Sequence, residues 1–576
     1  MTAILGLGFG IDSAAALVVD GRVDSAAAQE RFDRRKHSRA FPLDALRFCL
    51  GRAGLDPGGL ERVAFFWNPG EHLRNFDPRR GMTYRDHREF LELVPSHLLG
   101  LGPDPGPAEV TEQTFRFAGG RKLTIQYVAH HLCHAAAAFY PSGYDEAAIL
   151  TVDGYGESTS LLMARGRDTR LECLGQVSFP NSLGAVYAAV TEHLGFAANC
   201  DEGKVMALAA CAEPAFSREF EQLLRLTDEG RFEVDLSYFS FYRPARSRCS
   251  EKFQAAFGPA RSPGAPLERR HEQLAASLQQ RVEQALVHAA RHLRQVSGCR
   301  RLVMAGGVAL NTVANSLVLA EAGFDELWVC PPASDAGAAM GAALYAAHAL
   351  DGAPRDGAEY TDFLGPEYSA AEVRAFLTSA GAAFEECPEP AREAARRLAA
   401  GEIVGWFQGR MEYGPRALGN RSILADPRQA SMKDVVNARV KHREPFRPFA
   451  PACPEEAAPA YFTGAHPSPY MMRVFGFAPG WGERLPAVRH VDGTARLQTV
   501  SASQNASFHS LLLAMGEATG APVVLNTSFN DAGEPIVRTP AEALKCFCST
   551  GIDSLFLGPY LISKPSGALA RAPGRE

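Results

Sequence analysis

No apolar run in the 576 residues approaches the ~20 consecutive residues that a membrane-crossing helix requires, so no span is expected. The N-terminus, MTAILGLGFGIDSAAALVVDG, has no basic stretch and meets Asp12 early, which argues against a signal peptide. The twelve cysteines have no paired spacing of the zinc-ribbon or redox CxxC kind, and Cys546 and Cys548 stand only two apart. They read as small buried hydrophobes of a reducing compartment, and the chain as cytoplasmic. An excess of basic charge is also missing. The formal net charge is -6 and no charged tail is present, so a non-specific grip on nucleic acid is not expected. What remains is 46% hydrophobic and 22% charged, the balance of a globular protein too long for a single core.

The organisation reads as α/β. Apolar runs at 3–7 and 15–19, the Asp20-Gly21 turn and a returning run at 23–28 predict a hairpin-rich sheet. A weakly similar pattern recurs at 147–153 (AAILTVDGYGE, then TSLLMARG). Such a repeat fits a domain of two related halves with a ligand between them. Residues 268–296 carry apolar side chains at helical spacing, and 302–304 enter a strand that breaks at Gly306-Gly307. The stretch 351–368 is rich in Gly, Pro, Asp and Glu without periodicity. It divides the chain into domains 1–360 and 361–576, the second starting with a helix at 391–398 and a strand at 403–407. The Pro- and Gly-rich stretch 465–485 reads as a surface excursion of that domain.

Three motifs carry chemistry. In AHHLCHAAAAF, His130 and His134 lie four apart, on one face of a helix, the spacing that chelates a divalent metal. No glutamate stands between them, so this is not the HExxH of a protease. An isolated pair of this kind more often faces solvent or is hydrogen-bonded in a core; the all-alanine continuation and the nearby Asp-Gly turn favour a metal. Asp153 (TVDGYGE) and Asp335 (PPASDAGAAMG) are the natural carboxylate partners. The turns at 153–156 and at Gly306-Gly307 offer backbone N–H groups to a phosphate, though neither is a Walker A or dinucleotide fingerprint and each alone reads as a tight turn. The densest chemistry lies in WFQGRMEYGPRALGNRSILADPR and KHREPFRPFAP. There Arg410, Arg416, Arg421, Arg428, Lys441, Arg443 and Arg447 are interleaved with Gly, Pro, Leu and Phe, as in a pocket wall for polyphosphate rather than a solvated face.

With these residues on the page the chain resembles a known family. QERFDRRKHSRAFP, AHHLCHAA, TVDGYGE, DEGKVMALA, AGGVALNTVAN, PPASDAGAAMGAAL, GRMEYGPRALGNRSILADPR, VDGTARLQTV and NTSFNDAGEPIV are similar, in order, to the O-carbamoyltransferases of nodulation-factor and antibiotic biosynthesis. The resemblance implies an N-terminal domain of the actin-like/sugar-kinase type and a C-terminal YrdC-like domain. It implies two steps: ATP and carbamoyl phosphate give carbamoyladenylate in the second domain, and the carbamoyl group passes to a small-molecule hydroxyl in the first. Carried over by position, His130, His134, Asp153 and Asp335 are metal ligands, for Fe(II), with Mg(II) accompanying ATP. Lys36, Glu202, Lys204, Gly306, Gly307 and Asn311 contact nucleotide or substrate in the first site. Arg416, Lys441, Arg447, Ser528 and Asn530 form the adenylate pocket.

One position departs from the pattern. The family carries a His-Asp pair before its small-residue run, whereas GFGIDSAAAL has Ile11 followed by Asp12. Either Asp12 alone serves as base at the transfer site, or the acceptor chemistry differs from the family's. Two other readings use the same scaffold: carbamoylation of a nitrogen or another acyl transfer, and a threonylcarbamoyl-tRNA-type modification, against which the negative net charge speaks. The acceptor is expected to be chosen by loops 76–105 and 238–267.

Overall fold

The computed structural model describes residues 2–56, 58, 60–69, 109–243, 245–355, 357 and 359–564. The 76–105 stretch, expected to shape the acceptor pocket, lies outside them. The chain forms two compact units, Met1–Gln29 with His37–Tyr360 and Glu30–Lys36 with Thr361–Glu576. The change at 360/361 falls within the Gly- and Pro-rich stretch. Residues Glu30–Lys36, read from the sequence as part of the first domain, group instead with the second. The reason is specific hydrogen bonding: the Arg31 guanidinium donates to the Gly414 carbonyl (3.1 Å) and Arg34 to those of Pro535 and Ile536 (2.7 Å each).

The first unit repeats one plan twice. In its first half β1 (Ala3–Gly8), β2 (Ala14–Val19) and β3 (Arg22–Ala28) make an antiparallel meander. Asp20 and Gly21 turn it with φ of 48° and 81°, the left-handed pair that a tight hairpin needs. β4 (Arg62–Phe65) pairs parallel to β1 and β6 (Lys122–Val128) parallel to β4, with β5 (Val110–Arg116) antiparallel at the edge. In the second half β7 (Glu146–Val152), β8 (Thr159–Arg167) and β9 (Arg170–Ser178) form the meander. After a small hairpin of β10 (Leu224–Leu226) and β11 (Phe232–Val234), β12 (Arg301–Ala305) joins β7 and β13 (Glu326–Val329) joins β12, both parallel. The orders β3-β2-β1-β4-β6 and β9-β8-β7-β12-β13 are the same. This is the duplicated α/β architecture expected of an actin-like domain.

In each half a helix follows the last parallel strand of the plan: His130–Phe139 after β6 and Asp335–Tyr345 after β13. Both are made of small residues because they pack on each other and on a sheet at very short range. A Cβ on Gly341 would strike the carbonyl of Cys133, and one on Gly6 that of Ala339. β7 is buried from Ala147 to Val152, so it reads as a continuous apolar run instead of an alternating one. The long helix Arg269–Ser297 starts at Glu268, whose side chain and the His271 ring cap each other's backbone N–H, and stops at left-handed Gly298 (φ 68°).

The second unit is also α/β. Its eight-stranded mixed sheet runs Glu385–Glu386, Tyr560–Ser563, Ser554–Leu557, Val404–Phe407, Arg421–Ala425, Val524–Ser528, Ala450–Pro454, Gln498–Val500. Helices Pro390–Ala399 and Ala506–Thr519 bury one face, and Ala370–Ser379 and Pro540–Ser549 the other. The stretch 465–485 is not a surface excursion. Met471, Met472, Phe475 and Leu485 are buried, and part of it forms a three-stranded sheet from Phe462–Thr463, Phe475–Phe477 and Thr494–Ala495.

Candidate functional site

At the start of helix His130–Phe139 both imidazoles point the same way, with their Nε2 atoms 3.1 Å apart. Asp153, just past the end of β7, brings Oδ2 to 3.2 Å from His130 and 3.3 Å from His134. Asp335, the first residue of its helix, brings Oδ1 to 3.5 and 3.8 Å from the same two nitrogens. All four donor atoms lie within 4.8 Å of one another. Donors bound to one ion at ~2.0–2.2 Å stand roughly 3–3.5 Å apart, so the set fits a divalent metal. The histidines are fully buried and the carboxylates 15–16% exposed, so solvent reaches the cluster from the carboxylate side. Burial disfavours a charged His130, but Asp335 and Asp153 outweigh it and hold the imidazole well above its usual range. Burial likewise opposes ionisation of Asp153, and the two histidines reverse that and push it well below the usual carboxylate value.

The surrounding polar groups orient these ligands. His130 Nδ1 lies 3.2 Å from the Phe66 carbonyl, and the His130 backbone N–H donates to the Glu157 carboxylate at 3.1 Å, which satisfies a helix-end donor. Asp153 Oδ1 accepts the Gly307 N–H at 3.0 Å. Gly306 is left-handed (φ 92°), and a Cβ there would collide with Val152; on Gly307 it would meet Asp153 Oδ1 at 2.8 Å. The two glycines thus serve close backbone approach to the cluster. His131 turns away, its Nδ1 2.6 Å from Thr151 Oγ1, and burial, then His130 and His134, depress it far below an ordinary histidine. Asn311 is engaged structurally: its Oδ1 accepts from Ala314 N–H (3.1 Å) and from Gln279, and its Nδ2 donates to Gln279. Glu202 accepts the Asn199 N–H at 2.6 Å, and Lys204 pairs with Asp201 at 3.1 Å. Burial raises the Glu202 carboxyl.

Ile11 leaves no imidazole on the turn after β1, yet one reaches it from elsewhere. His37 Nδ1 lies 2.7 Å from Asp12 Oδ1. Burial opposes a charge on His37, but Asp12 and Cys200 nearby outweigh it and push the ring up to about 10. Asp12 is therefore paired with a protonated imidazole. Both residues hold left-handed backbone (φ 48° and 52°), a conformation that non-glycine residues keep only when their surroundings impose it.

In the second unit the seven basic residues of the sequence cluster separate. Arg410 donates to the Leu364 carbonyl (2.7 Å), Arg428 pairs with buried Asp426 (2.7 Å), and Arg421 lies 3.5 Å over the Phe407 ring and donates to the carbonyls of Gln408, Gly409, Asn420 and Pro366. These three hold backbone together and are not pocket cations. Arg416, Lys441, Arg443 and Arg447 do converge, and Arg496 joins them. Arg496 lies in the VDGTARLQTV motif but was not marked by any local pattern; only its place beside the other four identifies it. Burial, then Arg447, lowers Arg416 to about 10 and Arg443 to about 9, and burial followed by Arg416, Arg443 and Arg447 depresses Arg496 further. The Nε atoms of Arg416 and Arg496 are buried with no hydrogen-bond partner among the described residues. Lys441 donates to Ser528 Oγ (3.2 Å), Asn530 O (3.1 Å) and Asn530 Oδ1 (2.7 Å), and burial, Arg443, Arg447 and Lys36 lower its affinity for a proton. Lys36, expected at the first unit's site, thus belongs to the second unit's cations. The nearest paired carboxylate, Glu444, is 3.7 Å from Arg447.

Residues 3–344 match the family described as Carbamoyltransferase N-terminus, and residues 395–564 that described as Carbamoyltransferase C-terminus. The chain is 38% identical to nodulation protein NolNO of Sinorhizobium fredii, over 96% of this chain and 79% of that protein. It is 40% identical to nodulation protein NolO of Bradyrhizobium diazoefficiens, over 76% and 79% of the two chains. Among solved structures it resembles HypF of T. kodakarensis at 14% identity and a TM-score of 0.30, covering 62% of this chain and 49% of that one, so it spans about half of that protein's length. Both halves of the chain are accounted for by family matches, and the protein belongs to the carbamoyltransferase family and is an enzyme of that kind.

Proposed function

We propose that the second unit forms carbamoyladenylate from ATP, carbamoyl phosphate and water with release of phosphate and pyrophosphate, and that the first transfers the carbamoyl group to a small-molecule hydroxyl with release of AMP. The observation that carries this reading is the group of Arg416, Lys441, Arg443, Arg447 and Arg496, drawn close together and short of carboxylates. Buried like charges repel one another and lack the water that would solvate them. An anion of several phosphates relieves both costs, and guanidinium forks bind its oxygens in pairs. Cations placed before the ligand arrives also stabilise the charge that shifts onto pyrophosphate as it leaves. Ser528 and Asn530, held by Lys441, would orient the carbamoyl end.

In the first unit, Asp12 accepts the acceptor's hydroxyl proton, oriented by His37. Glu202 and Lys204 bracket the bound carbamoyl adenylate, and Gly306-Gly307, lacking Cβ atoms, let it approach the backbone closely. His130, His134, Asp153 and Asp335 would hold a first-row divalent ion such as Fe(II), which supplies Lewis acidity to a carbamoyl or phosphate oxygen. The acceptor is expected to be a small molecule rather than nucleic acid.

The test is incubation of the full chain with ATP, carbamoyl phosphate and a panel of hydroxyl and amine acceptors. Pyrophosphate release with formation of a carbamate ester is expected. A urea product would move the acceptor to nitrogen, and no pyrophosphate release under any condition would refute the adenylate step.

A further inference from the structure

We propose that Asn526 and Gln498 are positioning residues: they clasp the 416–420 turn and so aim Arg416 at the phosphates of the ligand. The ligand class rests on the function proposed above. The Nε of Arg416 is buried with no hydrogen-bond partner among the described residues. A guanidinium that must be in place before its ligand arrives is then aimed by the backbone that carries it. Residues 416–420 lie outside helix and strand, so their backbone groups need partners other than a ladder.

Buried side chains supply those partners. Glu412, 2% exposed, accepts the N–H groups of Leu418 (2.7 Å), Asn420 (2.9 Å) and Arg421 (3.2 Å) on its Oε1. Gln498 Nε2 donates to the Leu418 carbonyl (2.9 Å), and Asn526 Nδ2 donates to the Ala417 carbonyl (3.1 Å). Asn526 Nδ2 also donates to Gln498 Oε1 (2.8 Å), and both amides are buried. Gly419 N–H donates to Ser422 Oγ (3.0 Å). Every residue from Ala417 to Arg421 is thus held by a side chain through its own backbone.

The orientations of the two amides follow from one another. The Leu418 carbonyl takes a donor, so Gln498 turns Nε2 to it and Oε1 to Asn526. Asn526 must then present Nδ2, and its Oδ1 is left buried without a partner among the described residues. An unpaired buried oxygen is unfavourable, and here it accompanies two donors directed at the Arg416 turn. The clasp also stands on the pocket's own framework. In the sheet, Asn526 pairs with Ala450 and Gln498 with Ala452, and Ser528 lies two residues beyond Asn526. Paired residues and residues two apart share a face, so both amides lie on the face that carries Ser528, a partner of Lys441. The motifs VDGTARLQTV and NTSFNDAGEPIV each contribute one member of the clasp besides their polar pocket residues.

The experiment measures tripolyphosphate binding to the full chain by calorimetry, for wild type, Asn526→Ala, Arg416→Ala and the double variant, with melting temperatures alongside. Asn526→Ala should lose roughly tenfold in affinity. The deciding readout is the double variant. Once Arg416 is absent, Asn526→Ala should cost no further affinity, although it lowers the melting temperature in both backgrounds. A role in stability alone would leave folded Asn526→Ala with wild-type affinity. Gln498→Met, which removes the donor to Leu418 at nearly constant length, is the milder variant where Asn526→Ala does not fold, and the same loss is expected. Wild-type affinity in the folded variants, or losses that add in the double variant, would overturn the proposal. A wild type that does not bind tripolyphosphate would sink the phosphate reading and this proposal with it. Wild-type binding without pyrophosphate release would sink the adenylate step alone, while the variants still decide the clasp.

Discussion

The two charge clusters of this protein are opposites. In the first unit, two imidazoles face two carboxylates at 3.2 to 3.8 Å, and every charge has a counter-charge nearby. In the second, five cations converge with a single paired carboxylate, Glu444 at 3.7 Å from Arg447, and two guanidinium Nε atoms have no partner among the described residues. A self-neutralising cluster of hard and borderline donors is a place for a cation. A cluster that cannot neutralise itself is a place for an anion. The contrast also separates cost from function: the first arrangement offsets its own burial cost when empty, whereas the second destabilises the folded chain until a ligand binds.

The sharpest way to break that comparison is Arg416→Ala. Adenylate formation, read as pyrophosphate release, should fall by ~10²–10³-fold. Stability should hold or rise, because a repelled, unpaired guanidinium leaves a buried position. A lower melting temperature would mean that Arg416 has a structural partner like that of Arg421. His134→Ala should act on the other cluster. Metal content by elemental analysis of anaerobically prepared protein should drop to a minor fraction, and acceptor carbamoylation with it, with pyrophosphate release untouched. Wild-type protein that binds no transition metal would remove the reason for the cluster.

A gentler perturbation is Gly307→Ala. The added Cβ would press on Asp153 Oδ1 from 2.8 Å, and metal affinity should fall by roughly tenfold while all four ligands remain. Equal affinity would show that the loop yields. The smallest effect is expected from the pH dependence of His37. Its folded value of about 10 lies above the ordinary 6.5, so its contribution to stability is complete below pH 6.5 and is lost as pH rises towards 10. The groups around it are Asp12, Cys200 and Glu202. The stability difference between wild type and His37→Gln should therefore shrink over that range, and a difference independent of pH would contradict the protonated pair.

Local pattern was enough for some of this and not for the rest. The i, i+4 spacing of His130 and His134 dictates one helix face, so their convergence was legible before any fold was known. The repeated strand–turn pattern at 3–28 and 147–178 was legible because period and turn residues are local properties. The basic run at 410–447 was legible as a group but not member by member. Arg410, Arg421 and Arg428 differ from Arg416 only in which carbonyls and rings the fold sets beside them. Stretch 465–485 reads as surface because Pro and Gly density marks irregular backbone, which in this unit is partly buried.

What the sequence alone determined is the family, the duplicated α/β plan, the helical histidine pair and the basic character of the second half. Each depends on spacing or on motifs within a few dozen residues. Tertiary structure alone decided that Arg496 joins the cation cluster, that residues 30–36, Lys36 among them, pack with the second unit, and that His37 supplies an imidazole to Asp12 where Ile11 cannot. Those pairings join residues up to several hundred positions apart, and only strand order and close helix packing bring such positions within hydrogen-bonding distance.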